Sequence, residues 1–270
     1  MENIVSLNGA RIISVANQKG GVGKTTTTIN LATALVASGK KVLIVDFDSQ
    51  GNLSTGFGIA QSMRNCTVYD VLMEPNKVHE AVLKTNIPNL DIITSNTSLS
   101  NADIQFSNHL NPAYCLKNAL ELVSNNYDYI FIDCPPALSF LTINALSASN
   151  SVLIPLQSEF FALEGIHNLV KTISKIKQEY NQELEIEGVV LTMYDSRNNI
   201  SQQVENDVRE CFKDKVFETV IPRNVRITEA PSHGKPVLLY DLNCAGSRSY
   251  ISLASELLKK NKHQEVRKVA

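Results

Sequence analysis

Little in this sequence is one-sided. Its 25 Lys and Arg stand against 27 Asp and Glu, a formal net charge of −2. Bulk charge therefore gives no strong attraction to a polyanion, and any nucleic-acid contact has to come from a local patch, such as one assembled by dimerisation. The five cysteines, Cys66, Cys115, Cys134, Cys211 and Cys244, form no CxxC pair and no metal-ligand spacing. They read as reduced, mostly buried small hydrophobes. The amino terminus, Met1-Glu2-Asn3, lacks the positive region of a secretory signal. No apolar run approaches the roughly 18 residues that span a bilayer. Internal repeats and low-complexity linkers are also missing. A cytoplasmic protein is expected.

What is present is size and order. A chain of 270 residues that is 43% hydrophobic can bury one sizeable core as a single large domain. Apolar runs at 11–16, 41–46, 89–94, 127–133, 151–155, 186–192 and 216–221 read as strands. Helical patterns fall between them, over 25–38 (closing at Gly39), 113–123 and 162–177, where Leu163, Ile166, Val170, Ile173 and Ile176 share a face. A last helix over 247–259 aligns Tyr250, Leu253, Ala254, Leu257 and Leu258. The alternation predicts an α/β fold, a doubly wound and mainly parallel sheet with helices on both faces. The domain is expected over 11–259, after a short extension (1–10) and before a basic, flexible tail (260–270).

In such sheets, ligands sit beyond the carboxyl ends of the strands. The run Lys19-Gly20-Gly21-Val22-Gly23-Lys24-Thr25-Thr26 lies at such a place, between the first strand and the first helix. Glycines allow positive φ and close backbone approach, so successive N–H groups can point at phosphate oxygens. The helix start adds its positive dipole end. Lys24 can reach the terminal phosphates, and the Thr25 hydroxyl can ligate Mg²⁺. The general phosphate-loop pattern asks for glycine at position 18 and finds Gln18; a second lysine, Lys19, stands inside the loop instead.

Phosphoryl transfer to water also needs a held cation and an oriented water. Asp133 ends an apolar strand and is suited to hold Mg²⁺ through a water. Asp48 is the candidate that polarises or orients the attacking water beside the metal. Asp46, two residues earlier on the same side, either assists or caps the next turn. Thr25, Asp48 and Asp133 are thus the candidate metal environment.

Lys19–Thr26 resembles the deviant Walker A motif. With Asp46–Asn52, Asp133-Cys134-Pro135-Pro136 and Ile221–Arg226, it is similar to the ParA/Soj family of chromosome and plasmid partition ATPases, in family order from about Arg11 to Lys259. The resemblance implies slow ATP hydrolysis with Mg²⁺. It also implies an ATP-bound sandwich homodimer that binds double-stranded DNA without sequence preference, associates with the nucleoid, and is released when a ParB/Spo0J-type partner stimulates hydrolysis. Lys19 would reach across the dimer, Lys24 would serve its own subunit, Asp48 would be the hydrolytic aspartate, and Pro222 and Asn224 would lie against the adenine. A strand-ending turn and helix cap is the other reading of Pro222–Asn224. Arg197 and Arg226 match DNA-phosphate positions; Lys235, Arg248, Lys259 and Lys260 are lesser candidates. Ser49 stands where many relatives carry proline. The short segment before the first strand argues against a helix-turn-helix reader of operator DNA.

The main alternative is a MinD-like ATPase that positions itself on membrane. It requires a carboxyl-terminal amphipathic helix, and after Leu258 the sequence offers only Val266, Val269 and Ala270 as apolar side chains. An electron carrier like nitrogenase reductase needs cluster-bearing cysteines, and only Cys134 lies near the nucleotide motifs. A metabolic kinase would need a second-substrate motif, which is not visible.

Overall fold

The computed structural model describes residues 9–106, 112–137, 139–159 and 162–269. Strands β1 Arg11–Val15, β2 Val42–Asp46, β3 Val82–Lys84, β4 Leu90–Ile93, β5 Tyr129–Asp133, β6 Ser151–Gln157 and β7 Glu185–Thr192 form one sheet. Its order is β3-β4-β2-β5-β1-β6-β7. β3 pairs antiparallel with β4 at one edge, and the other pairings are parallel. The helices are α1 Lys24–Ala37, α2 Asn52–Gly56, α3 Val68–Met73, α4 Val78–Ala81, α5 Ala102–Gln105, α6 Cys115–Glu121, α7 Phe140–Ala148, α8 Ala162–Glu179, α9 Asn199–Phe212, α10 Val225–Glu229, α11 Val237–Tyr240 and α12 Ala245–Val269.

Parallel strands need crossover connections, and here helices cover both faces of the sheet. Consecutive strand residues are therefore buried, each set in its own core. Ile12, Leu43, Val45, Ile130 and Ile132 pack with Leu116, Leu120, Leu146, Ile166, Ile173 and Val208 on one face. Ile13, Val15, Ile44, Phe131 and Leu153 pack with Leu31, Leu35, Leu253 and Leu257 of α1 and α12 on the other. The threonine-rich start of α1 is tolerated because its buried hydroxyls find carbonyls one turn back, as Thr28 does with Lys24 (3.1 Å) and Thr33 with Ile29 (2.7 Å). The helix closes where expected: Gly39 takes φ 84° and its N–H donates to the Val36 carbonyl.

One expected strand does not form. Residues 216–221 run beside β7, joined to it through isolated bridges at Val189–Val216 and Tyr194–Pro222. Phe217 and Ile221 donate to the Val189 and Leu191 carbonyls (2.9 and 2.8 Å), but the Thr219 amide between them, which would continue the ladder, donates with that of Glu218 to the Glu256 carboxylate of α12 (3.0 and 2.8 Å). The two segments are also in close contact. A Cβ on Gly188 would lie 2.5 Å from the Phe217 ring. The edge strand β3 was not expected, and two ends differ: Pro112–Tyr114 is a 3₁₀ turn rather than the start of α6, and α12 continues past Lys259 to Val269. Leu163 has its side chain outside the described residues.

The chain leaves β1 for β2 on one side and later reaches β6 on the other. β1 thus stands at the topological switch point, where a crevice opens beyond the carboxyl ends of the strands.

Candidate nucleotide-binding site

From Val15 the chain turns through Ala16–Gly23 and enters α1. Gly21 and Gly23 hold φ values of 77° and 89°, open to glycine without strain. A Cβ at Gly20 or Gly21 would meet nothing within 4 Å, so one side of the loop is open. The other side is braced. Asn17 donates through Nδ2 to the Pro155 carbonyl of β6 (2.8 Å) and accepts the Lys19 N–H (3.0 Å). Thr192, at the end of β7, donates its hydroxyl to the Val22 carbonyl (2.8 Å). At Gly23 the helix start carries no side-chain cap, and its first turn has no acidic residue. Its amides and positive dipole end are left for an anionic ligand.

Charge is buried around this loop without full compensation. Lys24 is 7% exposed, and its ammonium donates to the Lys19 carbonyl (3.0 Å). Burial lowers its pKa, against the opposing pull of Asp133 and, less strongly, Cys134 and Asp48. Asp133, ending β5, is 1% exposed, and neither carboxylate oxygen has a hydrogen-bond donor among the described residues. Burial and then the Asp46 charge push its pKa well up. Thr25 faces it and favours the ionised form without the geometry of a formed hydrogen bond. A buried carboxylate left unpaired is costly. A bound cation would remove that cost.

Asp46 is the register partner of Asp133 on the neighbouring strand, yet its task differs. One oxygen accepts from the Ser54 N–H (2.8 Å) and hydroxyl (2.6 Å), so it caps the start of α2. Burial nonetheless pushes its pKa up to about 6. Of the two readings of Asp46, the cap is the one built. Asp48 emerges half-buried beyond the strand, its carboxylate accepting the Gln50 N–H (3.0 Å) and its carbonyl the Gly51 N–H (2.9 Å). These bonds close the turn with Ser49 in place of proline. The segment that follows is held by Arg64, whose buried guanidinium donates to the Ile59 and Ser95 carbonyls and to the Thr55 hydroxyl. A Cβ on Gly51 would lie 2.3 Å from that guanidinium.

Pro222 and Asn224 are half-buried. The Asn224 side chain caps α10, accepting the Arg226 N–H (2.9 Å). The loop amides, a buried ammonium, and an orphaned carboxylate beside a threonine hydroxyl together suit a polyphosphate carrying a divalent cation.

Comparison with known proteins agrees with this geometry. The family model described as an AAA domain matches residues 10–186. The chain is 52% identical over 265 residues to the chromosome partitioning protein ParA of Caulobacter vibrioides, covering 97% of this chain and 99% of the relative. The chain belongs to the ParA/Soj family. The sporulation initiation inhibitor Soj of Bacillus subtilis is 49% identical, covering 92% of this chain and 98% of Soj. Among solved structures, a cobyrinic acid a,c-diamide synthase from Mycobacterium smegmatis with bound ADP and magnesium superposes with a TM-score of 0.82. It is 33% identical, with 94% of this chain and 96% of that one covered.

In this ParA/Soj-family chain several of the basic candidates are already paired with carboxylates. Arg197 is forked onto Asp195 (3.0 Å at both nitrogens), and the pairing lowers the Asp195 pKa to about 2. Arg226 bonds Glu229 (3.0 Å) and lies 3.5 Å from Asp241. Arg248 on α12 and Lys235 are exposed, and α12 meets α10 where a Gly246 Cβ would strike Ile227. Lys260 is engaged by Glu256 and the Asp214 carbonyl. Lys259 is exposed. Lys19 is ion-paired with Glu159. Sequence reasoning passed over Asn17, Arg64, Glu159 and Thr192. The position of Asn17 directly after an apolar strand was a usable signal for the first; Glu159 and Thr192 join the site only through contacts distant in sequence, and Arg64 through both near and distant ones.

Proposed function

We propose that this chain is a DNA-segregation ATPase that binds ATP with Mg²⁺, forms a nucleotide-dependent homodimer, and holds DNA without sequence preference until hydrolysis releases it. The observation that carries the reading is the orphaned Asp133 carboxylate facing Thr25 beside the buried Lys24. Gly20–Thr26 and Lys24 would hold the phosphates. Thr25 would ligate the cation, with Asp133 and Asp48 holding its waters. When bound, the cation would neutralise the charge that develops on the ADP leaving group. Asp48 orients the attacking water, and Pro222 and Asn224 border the base.

Lys19 serves the partner subunit's nucleotide in this scheme, so its pair with Glu159 has to open. Both side chains are about a third or more exposed (42% and 35%). Such a pair contributes about 0–1 kcal/mol, and a polyphosphate competes for it readily. Arg197, Arg226, Lys235 and Arg248 from both subunits would form the DNA surface, phosphates displacing Asp195, Glu229 and Asp241 from the arginines. With all these side chains neutralising phosphates, log K is expected to fall with log salt at a slope of about −7. A ParB/Spo0J-type partner then accelerates a slow hydrolysis and returns the protein from the nucleoid to the cytoplasm.

The test is binding to a random-sequence duplex with ATP, ADP or no nucleotide, beside anionic liposomes. ATP-dependent DNA binding with little liposome binding supports the reading. Liposome binding without DNA binding replaces it with a MinD-like membrane role. In the same assay Asp48→Ala is expected to keep ATP-dependent DNA binding while turnover drops at least ~100-fold. Turnover at the wild-type rate would assign the chemistry to another group.

A further inference from the structure

The open face of the phosphate loop depends on which way its peptide planes point, and one of them is fixed from outside the loop. Thr192 is 3% exposed at the end of β7, and its hydroxyl donates to the Val22 carbonyl at 2.8 Å. Val22 is itself 1% exposed, so no water competes for that carbonyl. Among the described residues there is no cis peptide bond. In a trans peptide the C=O and the next N–H point in opposite directions. A Val22 carbonyl tied toward β7 therefore turns the Gly23 N–H away from β7, toward the side where phosphates are expected. Glycine at 23 opens positive and negative φ alike. An untethered peptide there can flip, and a flipped one would present a carbonyl oxygen to an anion.

The residue that provides the tether is itself tightly placed. Met193, the next residue, takes φ 50°, a left-handed value uncommon for a residue with a side chain. Tyr194 then exchanges bonds with the base-side segment, its N–H donating to the Ile221 carbonyl (3.0 Å) and its carbonyl accepting the Arg223 N–H (3.1 Å). The end of β7 and the segment through Ile221 and Arg223 thus fix the hydroxyl's position before any ligand arrives. The methyl of Thr192 would be 3.8 Å from a Cβ on Gly23, so the side chain also fills the space behind the loop.

We propose that Thr192 is a positioning residue of the phosphate loop, its hydroxyl setting the Val22–Gly23 peptide so that the Gly23 N–H faces the nucleotide. The inference rests on nucleotide binding at this loop, and its test separates the two. ADP is titrated into the wild type, Thr192→Val, Thr192→Ser and Lys24→Ala, with melting temperatures taken without nucleotide. Thr192→Val keeps the shape and removes the donor; its Kd for ADP is expected to rise about tenfold, the factor equivalent to about 1.4 kcal/mol. Thr192→Ser keeps the donor and is expected within about twofold of the wild type, with both variants melting within about 2 °C of each other. Hydrogen exchange over 20–24 is expected to quicken in Thr192→Val alone. Wild-type affinity in Thr192→Val overturns the proposal, as does an equal loss in Thr192→Ser, which would assign the effect to the methyl. If Thr192→Val does not fold, Thr192→Ala against Thr192→Ser makes the same comparison. A wild type that binds no ADP, or a Lys24→Ala that binds it normally, would remove the nucleotide reading instead.

Discussion

Two aspartates on the same sheet stand in opposite conditions. Asp91, near the amino end of β4, is 4% exposed and accepts from the Lys84 ammonium (2.7 Å) and the Tyr127 hydroxyl (2.8 Å). Asp133, at the carboxyl end of β5, is 1% exposed and accepts from none of the described residues. The contrast extends to their neighbours. At the amino end Glu187 directs one oxygen to Arg11 and to the Ser151 hydroxyl. At the carboxyl end Lys24 is held by a single carbonyl, and burial disfavours its charge. Both ends bury ionisable groups, but Glu187 keeps an arginine and a hydroxyl on one oxygen and leaves only the other unpartnered, whereas both oxygens of Asp133 lack a donor among the described residues. Folding alone explains the first end. The second is explained by a partner that arrives later, and the arrangement calls for an anion with its cation.

If that partner is a polyphosphate, removing its buried counter-charge should have the largest effect. Lys24→Ala is expected to raise the Kd for ADP ~1000-fold or more, in line with the ~3–5 kcal/mol of breaking a buried charge pair. Tight ADP binding by that variant in a calorimetric titration would sink the loop assignment. The paired amino end supplies the control, since no substitution there should alter nucleotide affinity.

The uncompensated end should also respond to pH in the nucleotide-free protein. Asp46 has an ordinary value of 3.8 and is pushed up to about 6 by burial. A raised folded value means its contribution to stability is fully present below about pH 4 and is lost as pH rises through about 6. The loss is on the order of 3 kcal/mol. Asp133 shifts in the same direction for the same reason. Asp46→Asn removes one titrating group and retains an oxygen to accept from Ser54. Urea unfolding from pH 4 to 7 should therefore show the wild type losing more stability than the variant. Parallel profiles would mean that Asp46 carries no such shift.

The same contrast separates what was legible in the sequence from what was not. Lys19–Thr26, Asp48 and Asp133 could be read because each lies within, or at the end of, one apolar run, where local pattern decides the structure. The strands facing two cores were readable for a related reason: burial on both sides leaves continuous apolar runs. β3 was missed because it is three residues long and antiparallel at an edge. The segment 216–221 read as a strand because its composition suits one, but Glu256 on a distant helix takes two of its amides. The braces of the loop were hidden in the same way. A threonine ending a β-strand is ordinary composition, and only the folded chain brings Thr192 across 170 positions to Val22. Ion pairing of Arg197 and Arg226 is local, but composition near an arginine does not say which carboxylate it will hold.

The smallest effects are the most direct test of the contrast, because they should have opposite signs. Asp91→Asn removes a carboxylate with two donors and should lower stability by about 1–2 kcal/mol in chemical unfolding. Most of that loss belongs to the Tyr127 hydroxyl, because the Lys84 side chain is 84% exposed and its pairing is screened by water. Nucleotide affinity should not change. Asp133→Asn replaces a charged group that has no donor with a neutral one of the same shape. Without nucleotide it should raise stability by about 1 kcal/mol, because the wild-type carboxyl bears the cost of burial. With nucleotide the sign reverses, since the variant should lose the gain in affinity that Mg²⁺ gives the wild type. If both substitutions destabilise the free protein equally, Asp133 is a structural acid like Asp91, and the cation must be held elsewhere. Stabilisation at Asp133 alone, together with lost Mg²⁺ dependence, would identify its buried charge as one kept for a ligand.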